Sequence, residues 1–301
     1  MDSAVKDNSQ LENDHLISAL KELANQLRKH DIPLIVGGGL SLYIRTFLDK
    51  KGRSPRYPRR VVQRSTKDID IFLTSDLIVD SEKITTLRDS LEHLGYKPKP
   101  NALYFQFIKE VKINDSTREI EIDILSQPPQ DKDLQKTKIR NFRINPINID
   151  NFHARLANEA KGINFGQLPV ESFSETSGGE KISNIFVPSS FNYIILKLHA
   201  FRDRKDDESV DLGRHHAYDI FAIVTDMDKN DWDNAVEHFN DEKESDYIKS
   251  SIEIVTEFFS SPTSLGILRL QENQLFKKYD SEFSKYLTDF ISDIKSLFYI
   301  S

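Results

Sequence analysis

The sequence predicts an α+β fold: a mixed β-sheet flanked by helices, followed by a helical C-terminal lobe. Three observations carry the prediction. A leucine stripe at helical spacing leads into a short apolar strand and a glycine turn, two later segments alternate acidic residues with isoleucine, and apolar residues recur at helical spacing beyond Pro188. Residues 1–187 therefore read as the sheet domain and residues 188–301 as the helical domain.

Leu16, Leu20, Leu23 and Leu27 predict a helix packed through one stripe, after a polar, patternless start to about residue 12. Residues 32–36 form an apolar run closed by Gly37, Gly38 and Gly39, and residues 40–48 are again helical in pattern: strand, turn, helix. Residues 49–65, rich in Pro, Gly, Ser and Arg, read as a long loop. A strand follows over residues 68–73, then a helix over 81–94 ending at Gly95. Residues 103–111 and 118–125 read as two strands joined by an Asn-Asp-Ser turn. Between 126 and 187 only short β-like pieces stand out, around 163–170 and 182–187. In the C-terminal part Phe191, Ile194, Ile195 and Leu198 share a helix face, and Phe283, Leu287, Phe290, Ile294 and Leu297 mark a terminal helix.

At 301 residues and 38% hydrophobic composition the chain can bury one large core or two modest ones. A formal charge of -7 argues against wholesale coating of nucleic acid, so any polyanion site must be local. The absence of cysteine excludes disulfides, thiolate metal sites and a cysteine nucleophile. Neither a secretory start nor an apolar stretch of the ~20 residues that a spanning helix needs is present. The expectation is a soluble, cytoplasmic protein with no membrane partner.

The chemistry sits in the alternating strands. Side chains two apart on a strand share a face, so Asp68 and Asp70 look out together while Ile69 and Ile71 turn to the core. Two such carboxylates hold a cation, pair with a base, or keep one acid protonated; a solvated strand face has the same alternation. The second strand offers Glu119, Glu121 and Asp123 on one face against Ile120, Ile122 and Ile124, and if it lies beside the first, three carboxylates converge. The triple glycine is a seat for a phosphate or simply a tight turn. Neither Gly-x-Gly-x-x-Gly nor a Gly-Lys-Ser/Thr loop is present. Lys50, Lys51, Arg53, Arg56, Arg59, Arg60 and Arg64 make the loop before the first acidic strand strongly basic, fit for a phosphate backbone, an acidic partner, or solvent.

Val36-Gly37-Gly38-Gly39-Leu40-Ser41-Leu42, then Arg64-Ser65-Thr66-Lys67-Asp68-Ile69-Asp70, then Glu121-Ile122-Asp123 resemble the DNA polymerase β-type nucleotidyltransferase superfamily. Within it the pattern is most similar to the AbiEii-type toxin family, whose members pair Gly-Gly with an Arg-x-Thr-x-Asp-x-Asp strand. The helical part adds Val187-Pro188 leading to Leu196-Lys197-Leu198-His199-Ala200-Phe201-Arg202, and Tyr218-Asp219-Ile220. The resemblance implies a nucleotidyltransferase palm in which Gly37 and Gly38 seat the triphosphate of an NTP. Asp68 and Asp70 then chelate two Mg²⁺ ions, and Asp123 completes the acidic set and activates the acceptor hydroxyl. It further implies that Ser41, Arg64, Thr66 and Arg202 contact the nucleotide, and that Lys197 does so as a catalytic residue. The implied activity is transfer of NMP to a tRNA end or a protein hydroxyl by a toxin that a cognate antitoxin restrains. Modification of a small molecule, as by aminoglycoside nucleotidyltransferases, and an inactive nucleotidyltransferase-like binding module are the alternatives; the basic loop favours a macromolecular acceptor, and the retained acids disfavour the inactive module. Two features depart from the family pattern. His215 and His216 stand where members carry a basic-acidic pair, and they read as ordinary surface or packing histidines; the segment between the glycines and Asp68 is also long.

Overall fold

In a computed structural model, residues 8–48, 54–57, 64–102, 104–113, 116–177, 180–278 and 283–300 are described. The chain forms two compact units: residues 1–49 with 63–188, and residues 50–62 with 189–301.

The first unit opens with helix α1 (Asn8–Arg28), which starts before the leucine stripe and buries all four leucines of it. Strand β1 (Leu34–Val36) runs into the glycine turn and helix α2 (Gly38–Tyr43), which continues as one π-helical turn over Ile44–Leu48. Strand β2 (Asp68–Leu73) follows, then the short helix α3 (Ser75–Ile78) and helix α4 (Ser81–His93). The Asp80 carboxylate caps α4 by accepting from the backbone N–H groups of Glu82 and Lys83, and Gly95, at φ +85°, ends it. The long hairpin of β4 (Gln106–Ile113) and β5 (Ser116–Ser126) carries a small edge strand β3 (Lys97–Pro98).

The segment that is least patterned in sequence supplies β6 (Thr137–Arg140), β7 (Arg143–Pro146), β8 (Ala154–Leu156), β9 (Leu168–Pro169), the separate hairpin β10 (Glu175–Ser177) and β11 (Glu180–Ile182), and β12 (Ile185–Val187). Of the strand expected over 163–170 only Leu168 and Pro169 pair; Gly162 opens a turn and Gly166, at φ +61°, turns the chain again.

The main sheet is mixed, in the order β6-β7-β8-β5-β2-β1-β12-β9, with β4 paired to β5. Its centre, β2 beside β5, is parallel. Ile69, Ile71, Ile122 and Ile124 face a core shared with α1 and α4, which leaves the opposite face of the same two strands to the acidic residues.

The second unit contains helices α5 (Ser190–Arg204), α6 (Arg214–Asp226), α7 (Lys229–Glu242), α8 (Asp246–Phe258), α9 (Leu265–Glu272) and α10 (Phe283–Leu297). Helix α6 is buried from His216 to Thr225, and its Phe221 meets Phe276 and Phe290 edge to face. A piece of the basic loop belongs here. Arg56 lies over the Trp232 ring, 4.2 Å from its centroid, and pairs with Asp293 at 3.0 Å; buried Tyr57 donates its hydroxyl to the same carboxylate. No helix among the described residues is long and apolar enough to cross a membrane.

Candidate functional site

Parallel pairing sets Asp68 beside Glu121 and Asp70 beside Asp123. Because register partners share a face, Asp68, Asp70 and Asp123 converge, and one carboxylate oxygen from each lies within 4.8 Å of the others. All three are half-buried. Thr66 donates its hydroxyl to Asp68 at 2.8 Å. On the other side Gln106, in register with Asp123, donates its side-chain amide to Asp123 at 2.9 and 3.1 Å and to Glu121 at 2.8 Å, while Lys99 pairs with Glu121 at 2.6 Å. The donor set is three hard carboxylates with no soft ligand, which fits a divalent cation of the Mg²⁺ class.

Charge crowding is visible in Asp123. Burial, with the neighbouring Glu121 and Asp68 carboxylates and against the Gln106 hydrogen bond, pushes its pKa up to about 6. A folded-state value raised above the unfolded one stabilises the fold below the unfolded pKa, and that contribution is lost as pH rises through about 6. The metal-free protein is therefore expected to lose stability between pH 4 and 7 by an increment that is missing in Asp123→Asn. Urea unfolding of both proteins across that range measures it, and parallel curves contradict the assignment.

The glycine turn touches this cluster. Gly37 donates its N–H to the Asp70 carbonyl at 2.9 Å. Gly38 sits at φ +62°, and a Cβ there would lie 1.7 Å from Asp70 Oδ2, so the carboxylate occupies space that any other residue would fill. A Cβ on Gly39 would lie 2.6 Å from Arg64 Nη2 and 2.9 Å from the Thr66 side chain. Ser41 donates its hydroxyl to the Gly38 carbonyl at 3.1 Å. Asn13, buried at a stripe position of α1, donates to the Arg64 carbonyl and accepts from the Thr66 N–H. Gly38→Ala is expected to cost about 1–2 kcal/mol from the left-handed backbone alone and to weaken divalent-ion binding by displacing Asp70. Mn²⁺ titration by calorimetry checks the second effect; native affinity in a folded variant excludes it.

Gly37, Gly38, Ser41, Arg64, Thr66, Asp68, Asp70 and Asp123 thus belong to one region of the first unit. Lys197 and Arg202 belong to the second. Lys197 is buried in an ion pair with Asp219 at 2.8 Å and lies over the Tyr193 ring. Arg202 is exposed, bonded to Asp203 and Ser250. His216 is buried with its ring tilted against His215, centroids 4.0 Å apart, and its ring nitrogens have no hydrogen-bond partner among the described residues. Burial, then the Lys197 charge and His215, hold it well below the usual imidazole range. His215 pairs with Asp211 at 3.6 Å. Of the basic loop, Lys50, Lys51, Arg53, Arg59 and Arg60 lie outside the described residues.

Asn13, Lys99 and Gln106 were not predicted as site residues. Asn13 left a signal, a polar residue one turn before Leu16 on the leucine stripe; Gln106 left none, because its place beside Asp123 depends on a hairpin register that sequence does not give.

No family model matches the chain, and no curated protein matches it. Two solved structures are similar at low level: a solution structure of the antibiotic-resistance factor ANT(2'')-Ia, at 14% identity and TM-score 0.39, covering 80% of this chain and 97% of that one; and a crystal structure of an antigenic nucleotidyltransferase-like protein from Paracoccidioides brasiliensis, at 13% identity and TM-score 0.40, covering 80% and 93%.

Proposed function

We propose that the protein is a Mg²⁺-dependent nucleotidyltransferase that moves NMP from an NTP to a macromolecular acceptor, a tRNA end or a protein hydroxyl. The observation that carries this reading is the convergence of Asp68, Asp70 and Asp123 beside the glycine turn.

In this reading Asp68 and Asp70 hold the metal ions and Asp123 completes the set. Bound Mg²⁺ supplies neutralisation of charge on the transferring phosphoryl group and a lowered pKa for the attacking hydroxyl. Gly37 and Gly38 keep the turn free of side chains where it meets Phe72 and Asp70, and in this reading the triphosphate lies at that turn, with Ser41, Arg64 and Thr66 around it. The acceptor oxygen attacks the α-phosphorus, the bond to the β-phosphate oxygen breaks, and pyrophosphate leaves. Asp123 takes the acceptor's proton, the role that the motif resemblance implies for it. Positioning and electrostatics supply most of the rate. Lys197 and Arg202 are further candidates for the nucleotide phosphates, on the strength of the motif resemblance alone.

The same resemblance supports an AbiEii-type toxin with an antitoxin partner. The test is incubation with each labelled NTP, Mg²⁺, total tRNA and cell lysate, with Asp70→Asn as control. Label on RNA or on protein identifies the acceptor. Label on neither, with the variant indistinguishable, removes this reading in favour of a small-molecule enzyme or an inactive module.

A further inference from the structure

Arg140 on β6 is the register partner of Arg143 on β7, and Arg143 is the partner of Arg155 on β8. Arg155 in turn lies beside Leu125 on β5, and Leu125 beside Phe72 on β2. Register partners share a face, and Leu125 and Phe72 are each two residues beyond Asp123 and Asp70. The three arginines therefore form a cross-strand ladder on the sheet face that carries the carboxylates. The neighbouring positions Ile71, Ile124, Ile144 and Ala154 are all buried on the other side.

Like charges directly opposite one another on neighbouring strands destabilise a sheet. None of the three arginines makes an ion pair among the described residues, although Lys138, two residues before Arg140 on the same strand, is matched to Asp150. Arg140 and Arg155 are exposed and Arg143 is half-exposed. With strands about 4.8 Å apart the ladder spans about 10 Å, and the Arg155 backbone lies about 8 Å from that of Asp123, a gap that an extended arginine side chain reaches across. The turn joining Arg140 to Arg143 is Asn141-Phe142, both left-handed at φ +50° and +57°, and Phe142 is 74% exposed. An exposed aromatic residue held at a backbone conformation disfavoured for it, in the turn between two arginines of the ladder, is suited to stack a base while phosphates are bound.

We infer that Arg140, Arg143 and Arg155 form an anion site for a run of successive phosphates on substrate entering beside the triad. Guanidinium groups fit this role because each presents a planar fork of donors to phosphate oxygens. The inference deepens the transferase reading and rests on it for the meaning of the neighbouring carboxylates. The phosphates have two sources, the backbone of a polynucleotide acceptor or the triphosphate of the nucleotide, and Phe142 favours the polynucleotide.

The experiment is fluorescence anisotropy of a labelled single-stranded oligoribonucleotide on the full chain, at several salt concentrations, with tripolyphosphate and ATP measured by competition. Arg140→Ala/Arg155→Ala changes exposed residues only, and its melting curve is checked against the native one. The expected result is on the order of tenfold weaker oligonucleotide binding per arginine and a salt slope smaller by about 0.7 for each. Phe142→Ala weakens the oligonucleotide but not tripolyphosphate. Weakening of tripolyphosphate and ATP alone, with Phe142→Ala silent, assigns the ladder to the nucleotide's phosphates instead. Native binding of all three ligands by the double variant overturns the site, as does a native chain that binds none. Asp70→Asn separates the two levels, since it should keep oligonucleotide binding while losing transfer. Full ladder-dependent binding without any labelled product would remove the transferase reading and leave the ladder standing.

Discussion

Asp70→Asn is expected to lower nucleotide transfer by about a hundred- to a thousandfold, the scale seen when one preorganised electrostatic contact to a transition state is lost, while the fold is kept. Asp70 is the middle of the cluster, in register with Asp123 and in contact with the space over Gly38. Its side chain is half-buried on the face opposite the isoleucine core, so the change deletes a ligand without opening a cavity. Removing one of three crowded negative charges also relieves repulsion in the metal-free protein, so the melting temperature should stay level or rise slightly. Transfer assays and thermal unfolding in EDTA together check this. Native activity in the variant would sink the metal assignment, and a large loss of stability would mean that Asp70 is structural.

The parts of this site that were legible in sequence are those fixed by local pattern. Alternation over residues 68–73 and 118–125 placed Asp68, Asp70 and Asp123 on the outer faces of their strands, because the two-residue period of a strand is a property of the backbone. Adjacency of those strands was only conditional, since nothing local says that β2 and β5 pair in parallel. The same limit hid the arginine ladder, whose members come from three strands of three or four residues each, too short for a period to show. The crossing of Arg56 and Tyr57 into the helical unit was hidden too: a Pro-Arg-Tyr-Pro stretch reads as loop, and its anchors, Trp232 and Asp293, are distant in sequence. Helices with a clean stripe, such as α1 and α10, were recovered because burial of one face is what makes them helices at all.

Lys197 is where a structural and a functional role can be separated by stability alone. Its ammonium group pairs with an Asp219 carboxylate that has no solvent exposure, and Lys197 itself is only 8% exposed. Breaking a buried pair from one side leaves the other charge buried without that partner, which costs about 3–5 kcal/mol. Lys197→Met is therefore expected to lower the melting temperature by at least several degrees, independent of any nucleotide. Replacing both partners, as Lys197→Met/Asp219→Leu, removes both desolvation costs and should recover much of the loss. A lysine that served only to meet phosphates would show the opposite pattern: Lys197→Met would melt like the native chain, and the second substitution would help nothing. If instead the double variant regains stability but not ATP affinity, Lys197 carries both roles, and contact with a phosphate must draw it from Asp219 beside the neutral His216.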